Sequence, residues 1–288
     1  MDSAIKIFKR PRLKSPSLIV GWEDAGFVGK RAIDYLVDEL GAEEFGEIDA
    51  HDFALLPNSI IKKGVLQEIE YLATTFNYWK NKKSGDDLII IGSSPPAIHH
   101  YKFANLILDV AELFRVRRIY AVGGLYASIA HTSQPEVFAI INHPGLKDYV
   151  TRQGIELGLS YRGPTSMNGL IIGLARQRNI EGICLWGRVP NYISDIPNPG
   201  VCRAVLETLS SLLKIDIDFS EMEVDIRRSG KRIEELVSYI RQQNPDLDQH
   251  IERLENGIHL EPMEEDSQVF FKDIEEFLRK QEGRRDSD

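Results

Sequence analysis

Cysteine is nearly missing from this sequence. Cys184 and Cys202 are the only two in 288 residues, and they sit at no metal-binding or redox spacing, so they read as small buried apolar side chains. Long apolar runs are missing too. No stretch approaches the ~18 residues that a membrane span needs, so no membrane partner is expected. The basic N-terminal residues Lys6, Lys9, Arg10, Arg12 and Lys14 lead only into the short Leu18–Val20 strand core before Gly21, which is no signal-peptide h-region. A reducing cytoplasm is the expected location. Positive charge is in deficit, with a formal net charge of −9 and no long basic run beyond that N-terminus, so nucleic acid is not an expected partner. The seven histidines form no H-x-H or H-x-x-x-H pair and none lies near a cysteine, so no metal site is expected. Neither a G-x-G-x-x-G nor a Walker motif occurs, and no cofactor is expected.

What is present is ordinary globular material, 42% hydrophobic and 27% charged, enough for a large core. Apolar runs bounded by turn signals at Leu18–Gly21, Asp86–Gly92, Arg118–Gly123, Val137–Ile141 and Ile183–Trp186 read as buried strands. Helical periodicity separates them. One helix runs to Leu40 and stops at Gly41, and a second runs from Ser93-Ser-Pro-Pro96 to about Phe114. A third opens in Gly163–Gly169, and a fourth spans about Val201–Leu213. Residues Ile60–Phe76 alternate like strands, with Lys63-Gly64 as the turn of a hairpin. Strands alternating with helices imply a three-layer α/β/α fold on a mostly parallel sheet over residues 1–218.

From residue 219 to 282 the strand pattern gives way to helices. Ser220-x-x-Glu223 has the form of a capping box. Ile233, Leu236, Val237 and Ile240 make an apolar stripe, and Asn244-Pro245 reads as an N-cap with Pro at N1 before Leu247, Ile251 and Leu254. A last helix is expected over Ser267–Lys280, carrying Phe270 and Phe277, before a frayed tail at 283–288. This helical extension packs either on the main domain or on a neighbouring subunit.

In open parallel sheets, ligands bind at the loops after the strands' carboxyl ends, and three such loops are rich in glycine. The first contains Gly21, Asp24, Gly26 and Gly29. These glycines could bring backbone close to a phosphate, or they could form a tight turn in which Asp24 caps the next helix. The second contains Gly123, Gly124, His131 and Thr132. A histidine beside hydroxyls invites a nucleophile–base reading, but no carboxylate is marked to orient it, so a loop histidine bonded to backbone is the alternative. The third contains Gly163, Pro164, Thr165 and Gly169. Its hydroxyls could hold an anion or simply cap a helix. No catalytic set emerges from these loops.

Taken together, Pro16-Ser-Leu-Ile-Val-Gly-Trp-Glu-Asp-Ala-Gly-Phe-Val-Gly29, Gly123-Gly-Leu with His131-Thr132, Gly163-Pro-Thr165 with Gly169, and Leu185-Trp186 leading to Val189-Pro190-Asn-Tyr192 and Pro197-Asn-Pro199 resemble the PAC2 family of proteasome assembly chaperone-like proteins. The resemblance spans roughly residues 1–220. It implies a nucleoside-phosphorylase-like fold without an established catalytic set, and self-association with a trimer favoured. It also implies proteasome subunits or another protein complex as partners. Such chains are sometimes called ATP-grasp proteins, yet no ATP-grasp pattern occurs here. Proteasome-binding archaeal relatives can end in a hydrophobic–Tyr–any-residue tail. This sequence ends Asp286-Ser287-Asp288, so docking of that kind is not expected. The readings to test are a non-catalytic homo-oligomeric binding or assembly protein and, as the alternative, a nucleoside- or nucleotide-binding protein or enzyme using the three loops.

Overall fold

The computed structural model describes residues 3–54, 58–70, 74–83, 85–158, 160–193 and 195–257. The expected Ser267–Lys280 helix and the tail after it lie outside them. In chain order the main elements are β1 (Ile5–Ile7), β2 (Ser17–Trp22), α1 (Val28–Leu40), β3 (Glu43–Ile48), β4 (Asn58–Lys62), β5 (Val65–Glu70), β6 (Thr74–Trp79), β7 (Leu88–Ser93) and α2 (His100–Leu113). They continue with β8 (Arg118–Ala127), β9 (Val137–Ile141), α3 (Lys147–Thr151), β10 (Glu156–Leu157), α4 (Met167–Gln177), β11 (Glu181–Pro190), α5 (Pro199–Leu213), α6 (Met222–Gln243) and α7 (Pro245–Glu255).

Nine strands form one sheet in the order β1-β3-β6-β7-β2-β8-β11-β9-β10, and β4–β5 forms a separate two-stranded hairpin. The α/β class and the layering are as the sequence implies, but parallel pairing is concentrated at the centre. β7, β2, β8 and β11 run parallel, while β1, β3 and β6 on one flank pair antiparallel, as does β9 against β11. The reason is local. β3 and β6 are joined by a hairpin excursion rather than a crossover helix, and only a crossover returns a chain parallel. The central strands are buried on both faces, as near-continuous runs such as Leu88–Ile91 demand.

Helices α2 and α4 cover one face, packing on Leu18, Val20, Ile89, Ile91, Ala121 and Cys184. Helices α1 and α5 cover the other, packing on Ile19, Ile90, Tyr120, Val122, Ile183 and Leu185. Both cysteines are free and buried. A third cluster lies at the carboxyl ends of the strands. Ala130, Tyr192, Ile193 and Ile196 meet Ile233, Leu236, Val237 and Ile240 of α6 and Ile251 and Leu254 of α7, so the apolar stripe read from sequence closes on the main domain. No helix among the described residues is long and apolar enough to cross a membrane.

Several boundaries differ from expectation for physical reasons. Helix α2 starts at His100 rather than at Ser93. Ser94 and Pro95 each precede a proline, which disfavours the helical region, and the amide of Ala97 bonds the carbonyl of Phe53 instead. β8 does not stop at Gly123-Gly124; it pairs with β11 residue by residue to Ala127↔Pro190. The Ser220/Glu223 box does not form, because the Glu223 carboxylate is taken by Arg203 and only the backbone of Ser220 accepts from the Glu223 amide. The cap at Asn244-Pro245 does form, with Asn244 Oδ1 accepting from the amides of Asp246 and Leu247. Lys63-Gly64 turns the β4–β5 hairpin with both residues at positive φ.

Helix α1 sits tightly on the sheet. A Cβ at Gly92 would come within 2.5 Å of Ile33 Cγ2 and 2.8 Å of Ile33 Cβ. Gly92→Ala is therefore expected to destabilise the fold by about 1–3 kcal/mol through overpacking, and to cost less in an Ile33→Ala background. Urea unfolding of the two single variants and the double variant measures this coupling; additive effects would contradict the contact.

Candidate functional site

The carboxyl ends of β2, β8 and β11 bring the three glycine-rich segments together around one side chain. After Trp22 the chain makes a single 3₁₀ turn at Ala25–Phe27, with Gly26 at φ +63°, and then enters α1. Asp24 at the start of that turn points back under the helix. Its Oδ1 accepts from the Gly29 amide at 3.0 Å, and its Oδ2 accepts from the Gly124 amide of β8 at 2.8 Å. Asp24 thus holds an amide of the first turn of α1 and fastens that turn to β8, although the N-cap position itself is Phe27.

Close approaches explain the glycines, to this carboxylate at some positions and to backbone carbonyls at others. A Cβ on Gly123 would fall on Asp24 Oδ2, and one on Gly124 would fall on the Ala25 carbonyl. Gly29 in α1 faces the same carboxylate, where a Cβ would lie 2.8 Å from Oδ2. Gly21 lies within β2, where a Cβ would lie 2.6 Å from the Gly29 carbonyl. Burial pushes the Asp24 carboxyl from the usual range up to about 7, and hydrogen bonds from the Gly29, Gly124 and Val28 amides act the other way.

The third segment reaches this centre through a residue not singled out in the sequence. Asn168, in the first turn of α4, is buried and donates from Nδ2 to the Val122 carbonyl of β8 at 3.1 Å. The position of a Cβ on Gly123 lies 3.0 Å from Asn168 Nδ2 and 2.8 Å from the Trp186 ring. Asn168 stands beside Gly169 in a stretch that reads as a hydroxyl cap, so no sequence signal separates it from an ordinary helix start. The cap itself is Ser166, whose Oγ accepts from the Gly169 amide, while Thr165 Oγ1 donates to the Ser166 carbonyl. Gly163, Pro164 and Thr165 are exposed and contribute no side chain to the Asp24 centre.

His131 belongs to a different junction. Its ring is 3% exposed, with Nδ1 2.8 Å from the Tyr192 hydroxyl and Nε2 3.5 Å from Glu234 of α6. The same hydroxyl accepts from the His131 amide at 2.6 Å. Burial pushes the Tyr192 phenol upward. The ring is thus bonded to a side-chain hydroxyl rather than to backbone and is set beside a carboxylate. Its hydroxyl partner is Tyr192 rather than Ser128 or Thr132, and the contact joins α6 to the strand ends. Thr132 beside it is exposed. Tyr192 and Glu234 could not be found from sequence, because they lie far from His131 along the chain. Among the described residues no group of three metal-ligating side chains occurs.

The raised carboxyl of Asp24 has a thermodynamic consequence. The folded protein holds this proton to higher pH than the unfolded chain, so the group's contribution to stability falls as pH rises from about 4 to about 7. Asp24→Asn is expected to remove that slope. It also sets an amide against backbone donors, at a cost of about 1–3 kcal/mol for the group left unsatisfied. The cost of the substitution should therefore shrink between pH 5 and pH 8, as read by denaturant unfolding of both proteins across that range. A cost that grows with pH would show that the carboxylate form is the one the fold favours.

Comparison with known proteins places this geometry. The family model described as the PAC2 family matches residues 18–237. The chain is 26% identical over 231 residues to an uncharacterised protein of Methanocaldococcus jannaschii, a match covering 80% of this chain and 84% of that one. Its fold is similar to that of Pyrococcus furiosus PbaB, an archaeal proteasome activator, with a TM-score of 0.71 and 24% identity over 81% of this chain and 97% of that one. It is also similar to a Mycobacterium tuberculosis proteasome-assembly chaperone homologue, with a TM-score of 0.67 and 22% identity over 76% and 94% of the two chains. The match runs from β2 into α6 and takes in all three strand-end segments: the chain belongs to the PAC2 family.

Proposed function

We propose that this protein is a non-catalytic binding or assembly protein that acts as a homo-oligomer in the cytoplasm, with a trimer favoured, and engages proteasome subunits or another multi-subunit complex. The observation that carries this reading is the use made of two buried titratable side chains in the glycine-rich segments, Asp24 and His131. Asp24 is committed to backbone amides and His131 to Tyr192. Both hold elements together, as a scaffold requires, and a reacting base would have to give those bonds up. The fold shared with an archaeal proteasome activator and a proteasome-assembly chaperone homologue supports the choice of partner class. In this reading the α/β domain of residues 1–218 carries self-association, and the acidic surface or the helical segment from 219 meets the partner.

A second reading, a nucleoside- or nucleotide-like ligand held at the same strand ends, is favoured by two buried polar atoms. Trp22 Nε1 and Asn168 Oδ1 make no hydrogen bond to protein among the described residues, and buried polar atoms generally find partners. The two readings part in two measurements. Gentle co-purification from the native host is expected to bring down proteasome subunits, or one other complex, in stoichiometric amount. Recovery of the bare oligomer, together with thermal stabilisation by a nucleoside or nucleotide that Asn168→Ala abolishes, would overturn the first reading in favour of the second.

A further inference from the structure

At the amino ends of the central strands, opposite the Asp24 centre, two stretches of chain run between the same two anchor points. The first is residues 8–16. At one end the amides of Phe8 and Lys9 both donate to the Phe45 carbonyl; at the other, Pro16 leads into β2 and accepts from the Arg117 amide. The second is residues 114–117. It begins with the Phe114 ring 5.0 Å from that of Phe45 and leads into β8, where Arg118 stands beside Ser17. Arg10, Arg12 and Lys14 of the first stretch are thereby gathered with Arg115 and Arg117 of the second, all of them exposed. Asp87 enlarges the group. Its carboxylate accepts from the amides of Lys14 at 2.6 Å and Asn81 at 3.0 Å, which brings the exposed Lys80 and Lys82 alongside.

None of these cations makes an ion pair or a side-chain hydrogen bond among the described residues. Neither stretch contains a carboxylate. The carboxylates close by are mostly taken: Asp87 by those amides, Glu43 by Lys9 and Tyr78, Glu112 by Arg178 and Glu181 by Arg118. Asp86 and Glu44 remain. Leu13 packs on the α2 side of the sheet, so Asp38 and Glu39 of α1 lie across it. In a chain of net charge −9, positive charge left unneutralised at one pole marks a place where an anion is attracted. Apolar side chains border it. Phe8 is 61% exposed, and Leu113, next to Phe114, is 39% exposed.

We propose that this pole binds a short acidic segment of a partner protein, its carboxylates on Arg10, Arg12, Arg115 and Arg117 and an apolar side chain against Phe8. Arginine matches a carboxylate in fork-to-fork geometry. Residues 10–14 span at most about 18 Å when extended, so the occupant is short. A nucleic acid that binds through its phosphates would run past such a patch onto an acidic surface, which favours a polypeptide. Phe8 and Leu113 favour it as well, because they offer contacts that apolar side chains fill. This surface is distinct from the acidic surface and the helical segment assigned to the partner above, and it stands whichever complex meets those.

Fluorescence anisotropy of a labelled Glu-Leu-Glu-Glu-Phe-Glu-Glu-Leu-Glu peptide, titrated with the full chain, tests this. The parent is expected to bind, and more weakly as salt rises. Arg12→Glu combined with Arg117→Glu should weaken binding by at least about tenfold. Lys231→Glu combined with Arg232→Glu makes the same change in net charge on exposed residues of α6 and should leave binding unchanged. Phe8→Ser should weaken this peptide but not one in which Ser replaces Leu and Phe. Circular dichroism checks folding, and Arg12→Gln with Arg117→Gln supplies the milder variant if charge reversal disturbs it. A parent that does not bind, or an equal loss in the two charge-reversed pairs, would overturn the proposal. Tighter binding of an oligothymidylate of equal charge would also overturn it, assigning the pole to nucleic acid. So would a changed mass of the Arg12/Arg117 variant in light scattering, which would make the pole a contact between copies.

Discussion

The Asp24 carboxylate is the constraint on which the strand-end region depends. One oxygen holds the first turn of α1 and the other holds an amide of β8. Because the group is largely removed from water, each of these bonds acts at low dielectric, where an unmet acceptor would be costly. The surrounding glycines follow from that. Gly29, Gly123 and Gly124 are bare where a carboxylate or a carbonyl occupies the space of a Cβ. A loop that resembles a phosphate cradle in sequence holds, in the fold, the protein's own Asp24 carboxyl group.

Neighbouring contacts extend the same closure. The carbonyl of Gly26 accepts from the Asn198 amide, and Asn198 Oδ1 in turn accepts from the Val201 amide at the start of α5. Ser229 of α6 donates to the Pro197 carbonyl at 2.6 Å, and His131 and Tyr192 complete the seam to that helix. The third apolar cluster, centred on Leu236 and Ile240, is thereby continuous with the strand ends rather than an appendage to them. The hairpin stands outside this closure. It is joined to β3 and β6 along the chain but pairs with neither, and its aliphatic face finds no cover.

Much of the fold was legible because it rests on local chemistry. The run Leu88–Ile91 is apolar at every position, so it had to be a strand covered on both faces. Gly41 ends α1, Asn244 caps α7, and Lys63-Gly64 turns the hairpin, each because a short-range backbone requirement selects the residue. The misreadings were equally physical. Gly123-Gly124 looked like a loop because glycine weakens an isolated strand, yet β11 pairs with it throughout. Glu223 looked like half of a capping box because Arg203, which takes its carboxylate, lies 20 residues away.

The sequence by itself determined the α/β class, the strand cores, most helix ends and the three glycine-rich segments, since each depends on residues within one or two turns of each other. Only the tertiary structure decided which residues those segments bond. That Asp24 reaches Gly124, that His131 is bonded to Tyr192, and that Asn168 rather than Thr165 meets β8 are contacts between residues distant along the chain. Hydrogen-bonding capacity is written in a residue type, but the partner that takes it up is chosen by which strands lie side by side.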